Sequence, residues 1–365
     1  MKVQEDDFWM KSEKSITRRS FIIGAAIGAG VLSTSCSFFR YTANAVMTLS
    51  NPGPQVLPPT RIYPALPQST VAISGVSGSI EQAVRDAVAA AGGLPDFEKG
   101  QRVMIKPNAT GPDRKITTNP EVVRAVIRLV KEHGCHAMVG DRPAFLDMKT
   151  MKVSGFERVC QEEGAELYPW VNDAYVRFLP NQRYWTKGFR MPKILTEVDH
   201  WINVPVLKNH QVTDAEFTCC LKSFVGICHP SDRFQSGSNA LHQHNIGEKI
   251  AELNLCSRPS MNIVDATNIM VHGGPDGTLA KPVYVRANLI IAGSDRVACD
   301  SLALAVLKFF GSEKKVKLPY VEKSVWDQVQ IYRSAELGIG QANPHMIKIE
   351  DIKVPELNSI KANWI

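Results

Sequence analysis

The sequence predicts an α/β protein: a doubly wound, mainly parallel sheet flanked by helices, with a β-hairpin insertion. Three observations carry this expectation. Short apolar, β-branched runs alternate with longer segments whose apolar residues recur at helical spacing, the pattern of right-handed strand–helix–strand units. Several of these runs stop at a charged residue, as strands do at the rim of an open parallel sheet. Residues 170–193 break the pattern into aromatic-rich alternating pieces, which fit an antiparallel hairpin better than another repeat.

The chain opens with a segment that resembles a twin-arginine (Tat) export signal. Arg18 and Arg19 stand directly before the apolar, Gly/Ala-rich run 21–32, which is too short for the roughly 20 residues a membrane-spanning helix needs. Ala43-Asn44-Ala45 offers a cleavage site, and Cys36 offers lipid attachment as the alternative. Residues 1–45 are therefore expected to be a signal peptide handed to the Tat translocase. The location implied is periplasmic or extracytoplasmic, with membrane attachment only through an uncleaved or lipidated N-terminus. Residues 46–69 hold prolines 52, 54, 58, 59, 64 and 67 and are expected to be an extended linker. Seven cysteines follow Ala45, an odd number with no C-x-x-C pair. That usage argues against a disulfide framework, a zinc ribbon or a ferredoxin-type loop, and fits small buried hydrophobes.

The α/β domain is expected over residues 70–345. It begins with a strand at 70–76 and a helix carrying Ile80, Ala83, Val84, Ala87 and Val88 on one face, closed by Gly92-Gly93. A strand at 102–105 ends at Lys106-Pro107-Asn108. Thr118 or Asn119 caps the next helix, with Pro120 in its first turn, and Gly134 closes it. A strand at 136–139 runs into Gly140-Asp141, followed by a helix at 155–163, a strand near 166–168 and the hairpin. The apolar run 201–207 stops at Lys208-Asn209-His210. Residues 230–239 have the composition of a flexible lid. A helix at 245–255 precedes a strand at 261–265 ending in Asp265, a glycine turn at 272–277, and a strand at 289–293 ending at Ser294-Asp295. The helix 297–310 carries Asp300 in its first turn. A helix near 325–337 leads to the tail, 346–365, which opens with an edge strand.

Charge excludes one class of partner. The formal +6 falls to +4 without residues 1–45, and no basic run is interleaved with aromatics, so nucleic acid is not an expected partner. The stretch 200–226 is the chemical centre instead. Lys106, Asp141, Lys208 with His210, Asp265 and Asp295 all fall at predicted strand ends, which in a parallel sheet share one crevice. Any one of them is equally well an ordinary turn residue. Taken together they predict a pocket for a small anionic molecule. His210, Asp265 and Asp300 are its candidate catalytic groups, and Lys106, Asn108, Asp141, Lys208 and Lys222 its substrate ligands. Gly273 and Gly274 permit a backbone turn beside it. No metal ligands are assigned: His242-Gln243-His244 is spacing-poor and fits a solvated loop. No dinucleotide fingerprint, P-loop or nucleophile elbow is present, and the cofactor is left unknown.

Seven ordered motifs carry a resemblance: IKPN at 105–108, TNPEVVRAVIRLVKEHG at 118–134, VGD at 139–141, NVPVLKNH at 203–210, LKSFVG at 221–226, IVDATNIMVHGGPDG at 263–277 and AGSDRVACD at 292–300. Together they are similar to the domain of unknown function 362 family, over roughly residues 70–345. The resemblance implies no assigned activity. Some relatives append ferredoxin-like modules, whose cysteine motif this chain lacks, and Ser223 stands where the family usually has asparagine. Two classes stay open: an exported enzyme acting on a small carboxylate or phosphate, or a non-catalytic periplasmic ligand-binding or redox/iron-sulfur accessory protein.

Overall fold

The structure is a computed structural model that describes residues 66–364, apart from 95, 110, 112–113, 143–147, 171–172, 212–213, 235–239, 243 and 278–279. The expected signal peptide and all but the end of the expected linker lie outside the described residues.

In chain order the strands are β1 (Ser69–Gly75), β2 (Arg102–Pro107), β3 (His136–Val139), β4 (Glu166–Leu167), β5 (Tyr175–Phe178), β6 (Phe189–Pro192), β7 (His200–Val204), β8 (Val206–Asn209), β9 (Phe217–Thr218), β10 (Met261–His272), β11 (Val283–Val285), β12 (Leu289–Gly293) and β13 (Ile347–Ile352). The main sheet runs β13-β1-β12-β10-β7-β2-β3-β4. Along that path every strand but β12 points the same way, since β12 pairs antiparallel with both β1 and β10. β8 continues the line of β7 beyond Pro205 and pairs with β10 and β9. Pro205 has no N–H to give the ladder, yet its carbonyl accepts from the amide of Asp265 at 2.8 Å, so the break costs little pairing.

The helices are α1 (Ile80–Ala90), α2 (Pro120–Glu132), α3 (Met148–Val153), α4 (Phe156–Glu163), α5 (Cys220–Ser223), α6 (Pro230–Phe234), α7 (Ile246–Leu253), α8 (Arg296–Glu313), α9 (Pro319–Glu322), α10 (Val329–Glu336) and α11 (Leu357–Ala362). Strand alternation sorts them into two layers. Val103 and Ile105 of β2 face a core shared with α1, α2 and α4, while Met104 faces the core of α5, α7, α8 and α10. Lys106 falls on the same side of β2 as Met104, which aims its ammonium at α5. The hairpin is present as expected: β5 and β6 pair antiparallel as a separate two-stranded sheet, with Phe178 opposite Phe189. Among the described residues no helix is long and apolar enough to cross a membrane.

Three expectations need correction. The strand at 261 does not stop at Asp265 but runs on to His272, because apolar residues 269–271 continue its ladder against β11. Residues 230–234 form α6 instead of a loop, while 235–239 fall outside the described residues. Asp295 lies on the rim opposite the expected crevice, since β12 runs against its neighbours. There its carboxylate accepts from the amides of Val297 and Ala298 at 2.9 and 3.0 Å, capping α8, and from Ser69 Oγ and the Gln341 amide at 2.6 and 2.7 Å. Asp295 is therefore a structural cap. Asp295→Ala should lower the unfolding free energy by about 0.5–2 kcal/mol, the range for losing an N-cap, as read from urea melts. A change within error would mean that the cap is redundant.

Candidate functional site

Lys106, at the end of β2, is 1% exposed. Its Nζ lies 3.1 Å from Asp141 Oδ1 and donates to Ser223 Oγ at 3.0 Å and to the Pro107 carbonyl at 3.2 Å. The other oxygen of Asp141 accepts from the Ala109 amide at 2.7 Å. Burial lowers the pKa of Lys106 and the charge of Asp141 opposes that shift. Ser223, the residue that departs from the family pattern, thus gives Lys106 an acceptor. Gly226 covers the pair so closely that a Cβ there would stand 2.6 Å from Asp141 Oδ1 and 3.1 Å from Lys106 Nζ.

Lys208 leaves β8 buried, and its Nζ donates to the Ile116 carbonyl at 3.0 Å. Lys222 sits on α5 and donates to the Ala215 carbonyl at 3.1 Å. Burial pushes its pKa down to about 7, a fall that Asp214 opposes and Lys208 reinforces. His210 is anchored through its amide to the Glu216 carbonyl at 2.7 Å. Burial, then the charges of Lys222 and Lys208, hold its pKa well below the usual imidazole value, so the ring is neutral. Its Nδ1 makes no hydrogen bond among the described residues.

These groups meet in one cavity of about 140 Å³, lined by Lys106, Asn108, Asp141, Lys208, His210 and Lys222 of the predicted set. It also takes in Arg142, Arg233 and His242, which the sequence reading did not assign to the site. Arg142 directly follows Asp141, and its Nη1 donates to the Trp170 carbonyl at 3.1 Å and to the Tyr175 hydroxyl. Arg233 lies within the segment read as a lid, and His242 lies just beyond it. His242 Nδ1 donates to the Arg233 carbonyl at 2.8 Å.

Four predicted site residues do not line the cavity. Asp265 is locked by the amide of Asn119 at 2.6 Å and by the amide and hydroxyl of Thr267 at 3.0 and 2.6 Å, so it fastens the start of α2 to β10. Asp300 accepts from the amides of Cys220 and Leu221 at 2.6 and 3.2 Å and caps the short helix that carries Lys222, without reaching His210. Burial raises its pKa to about 6. Gly273 and Gly274 stand behind the wall, where the Gly274 amide donates to Asn209 Oδ1 at 3.0 Å. A Cβ on Gly274 would fall 1.9 Å from the Asn209 carbonyl oxygen, which is why the turn needs glycine there. Pro275, the next residue, does line the cavity.

Asp300 also brings a carboxylate oxygen within 4.8 Å of the sulfurs of Cys219 and Cys220. Both its oxygens are already taken by backbone amides, and burial raises both thiols, that of Cys219 to about 12. The cluster is accounted for by packing α5 onto α8. A more open depression at the other ends of β2 and β3, about 340 Å³, is lined by Arg102, Lys131, His136 and Glu166, of mixed charge.

A model of the family described as a domain of unknown function (DUF362) matches residues 103–305, a span that contains every cavity residue named above. A thylakoid-associated protein of a Synechocystis species is 27% identical over 293 residues, covering 77% of this chain and 85% of that protein. Among solved structures, the lactate racemase apoprotein from Thermoanaerobacterium thermosaccharolyticum aligns with a TM-score of 0.35 and 14% identity over 61% of this chain. The chain matches 54% of the length of that structure.

The position of Lys222 has a thermodynamic signature. Its folded-state pKa, about 7, lies below the ordinary 10.5, so between those values the unfolded chain holds a proton that the folded chain has released. Its contribution to stability therefore rises with pH across that window, and the full penalty applies below about 7. Lys222→Met removes the penalty. The melting temperature of the variant minus that of the parent should be largest near pH 6 and shrink toward pH 9; a difference that does not change with pH refutes the assignment.

Proposed function

The chain belongs to the DUF362 family of domains of unknown function, and from that membership and the cavity together we propose that it is an enzyme acting on a small anionic substrate, a carboxylate or phosphate. The observation that carries this reading is charge. Five cationic side chains, Lys106, Lys208, Lys222, Arg142 and Arg233, line the cavity, against one carboxylate, Asp141, among the described lining residues. Cations gathered out of water repel one another, and an anionic ligand relieves that repulsion.

The division of labour follows from position. Lys208 and Lys222 hold the anion. His210, neutral and with Nδ1 unengaged, is the proton-transfer group. A bound anion offsets the two lysine charges that depress the imidazole pKa, so substrate arrival itself makes His210 a better base. Asp141 keeps Lys106 in place, while Asp265 and Asp300 act as positioning residues for α2 and α5. The strong depression of His210 also favours a second reading, a ligand-binding protein without turnover. Export through the Tat translocase belongs to the same proposal, supported by Arg18-Arg19 before the apolar run.

Mass spectrometry of the protein purified from its native host identifies a retained anion, and calorimetry with acetate and inorganic phosphate measures the site directly. Lys208→Gln should weaken the probe by about 2–5 kcal/mol, the range for truncating one partner of a buried charge pair. His210→Asn should leave probe affinity within about tenfold while abolishing turnover of the retained molecule. Turnover that survives His210→Asn points to another base, and a retained molecule that the parent does not turn over leaves the binding-protein reading. Parent protein that binds neither probe and retains no anion defeats both readings.

A further inference from the structure

The hairpin of β5 and β6 gives no residue to the cavity wall, yet it holds one that does. Arg142 lines the cavity and is 8% exposed. Its Nη1 donates to the Trp170 carbonyl at 3.1 Å and to the hydroxyl of Tyr175, the first residue of β5. That hydroxyl donates in turn to the same Trp170 carbonyl at 3.1 Å. Cζ of Arg142 stands over the Tyr175 ring, 5.4 Å from its centroid. Trp170 is a firm anchor for both: it is fully buried, its amide donates to the Asp141 carbonyl at 3.3 Å, and a Cβ on Gly140 would stand 2.7 Å from its Nε1.

This arrangement uses one side of the guanidinium and leaves the other. Every hydrogen bond from the Arg142 side chain to a described residue leaves from Nη1, and the buried Nε has no partner among the described residues. Nε and Nη2 share the edge of the planar fork that grips a carboxylate or phosphate side-on, through two parallel N–H bonds. A buried donor is seldom left without an acceptor, and a charged one least of all. Bracing β3 against the hairpin needs Nη1 alone, so it does not account for Nε. On a cavity wall, with Nη1 tied back to the hairpin, ligand oxygens are the acceptors this edge fits.

We infer that Arg142 holds the ligand's carboxylate or phosphate side-on through Nε and Nη2, and that Tyr175 is the positioning residue that sets the angle of its fork. This rests on the reading of the cavity as an anion site and adds Arg142 to the groups that hold the anion. It also gives the hairpin a task. Tyr175 does not line the cavity, so it reaches the ligand only through Arg142.

Calorimetry with the full chain tests both roles, using acetate and inorganic phosphate as probes. The probe that Arg142 holds should bind Arg142→Lys about tenfold or more weakly than the parent, because the charge stays and the paired bonds go. Which of the two probes responds tells a carboxylate from a phosphate. Tyr175→Phe should weaken the same probe about threefold in the parent and less than about 1.5-fold in the Arg142→Lys background. A hydroxyl that only stabilises the fold would lower the melting temperature without that coupling in affinity. Parent that binds a probe, with Arg142→Lys binding it within about twofold, overturns the contact and leaves the anion site standing. Tyr175→Phe that leaves affinity unchanged, or weakens it equally in both backgrounds, overturns the positioning role. Where Arg142→Lys fails to fold by circular dichroism, Tyr175→Phe decides alone, and unchanged probe affinity overturns the inference. Parent that binds neither probe removes the anion site, and the contact with it.

Discussion

The buried ion pair between Lys106 and Asp141 is the interaction on which the rest of the site depends. It joins the ends of β2 and β3, and each partner is also tied to a backbone group, Lys106 to the Pro107 carbonyl and Asp141 to the Ala109 amide. Removing one partner of such a pair typically costs about 3–5 kcal/mol, because the other charge is left in a medium that solvates it poorly. The pair constrains what can be built above it. Gly226 is required where its Cα passes, and Ser223 is small enough to sit over the ammonium while still offering it an oxygen.

The same economy of charge explains why Asp265 and Asp300 are not in the cavity, although each looked like a catalytic acid. A carboxylate accepting two or three hydrogen bonds from backbone amides is a strong anchor for the start of a helix. Asp265 takes the Asn119 amide at the entry to α2, and Asp300 takes the Cys220 and Leu221 amides at the entry to α5. Asn203 adds a second tie to α5, donating to the Cys220 carbonyl at 3.1 Å and to Asn262 Oδ1 at 3.2 Å. The helix that presents Lys222 has only four residues and little stability of its own. It holds its place because the sheet on one side and α8 on the other supply its missing partners.

Much of this was legible in the sequence. Periodicity showed the strands, the helices and the hairpin, and strand ends located Lys106, Asp141, Lys208 and His210 on one rim. Strand direction was not legible, because an apolar run such as 289–293 looks the same parallel or antiparallel, and Asp295 was misplaced as a result. Asp265 was misread for a related reason: an acid in an apolar run suggests an ending, whereas here Thr267 and Asn119 satisfy it and the strand passes through. Arg142 was hidden by adjacency, standing next to an acid already assigned. Arg233 was hidden by composition, since a segment rich in Ser, Asp and Gly gives no sign that its arginine is buried.

The cavity's protonation and its occupancy are coupled. Before a ligand arrives, the site lowers its own charge: Lys222 titrates near 7 and His210 is neutral, both because burial and neighbouring cations make further positive charge costly. An anion reverses the second of those causes while leaving the first. Each negative charge brought in near Lys208 therefore favours protonation of Lys222 and of His210, and by linkage each proton gained strengthens the hold on the anion. The proton that His210 takes up in this way, from solvent or from the substrate, distinguishes a binding site from a catalytic one.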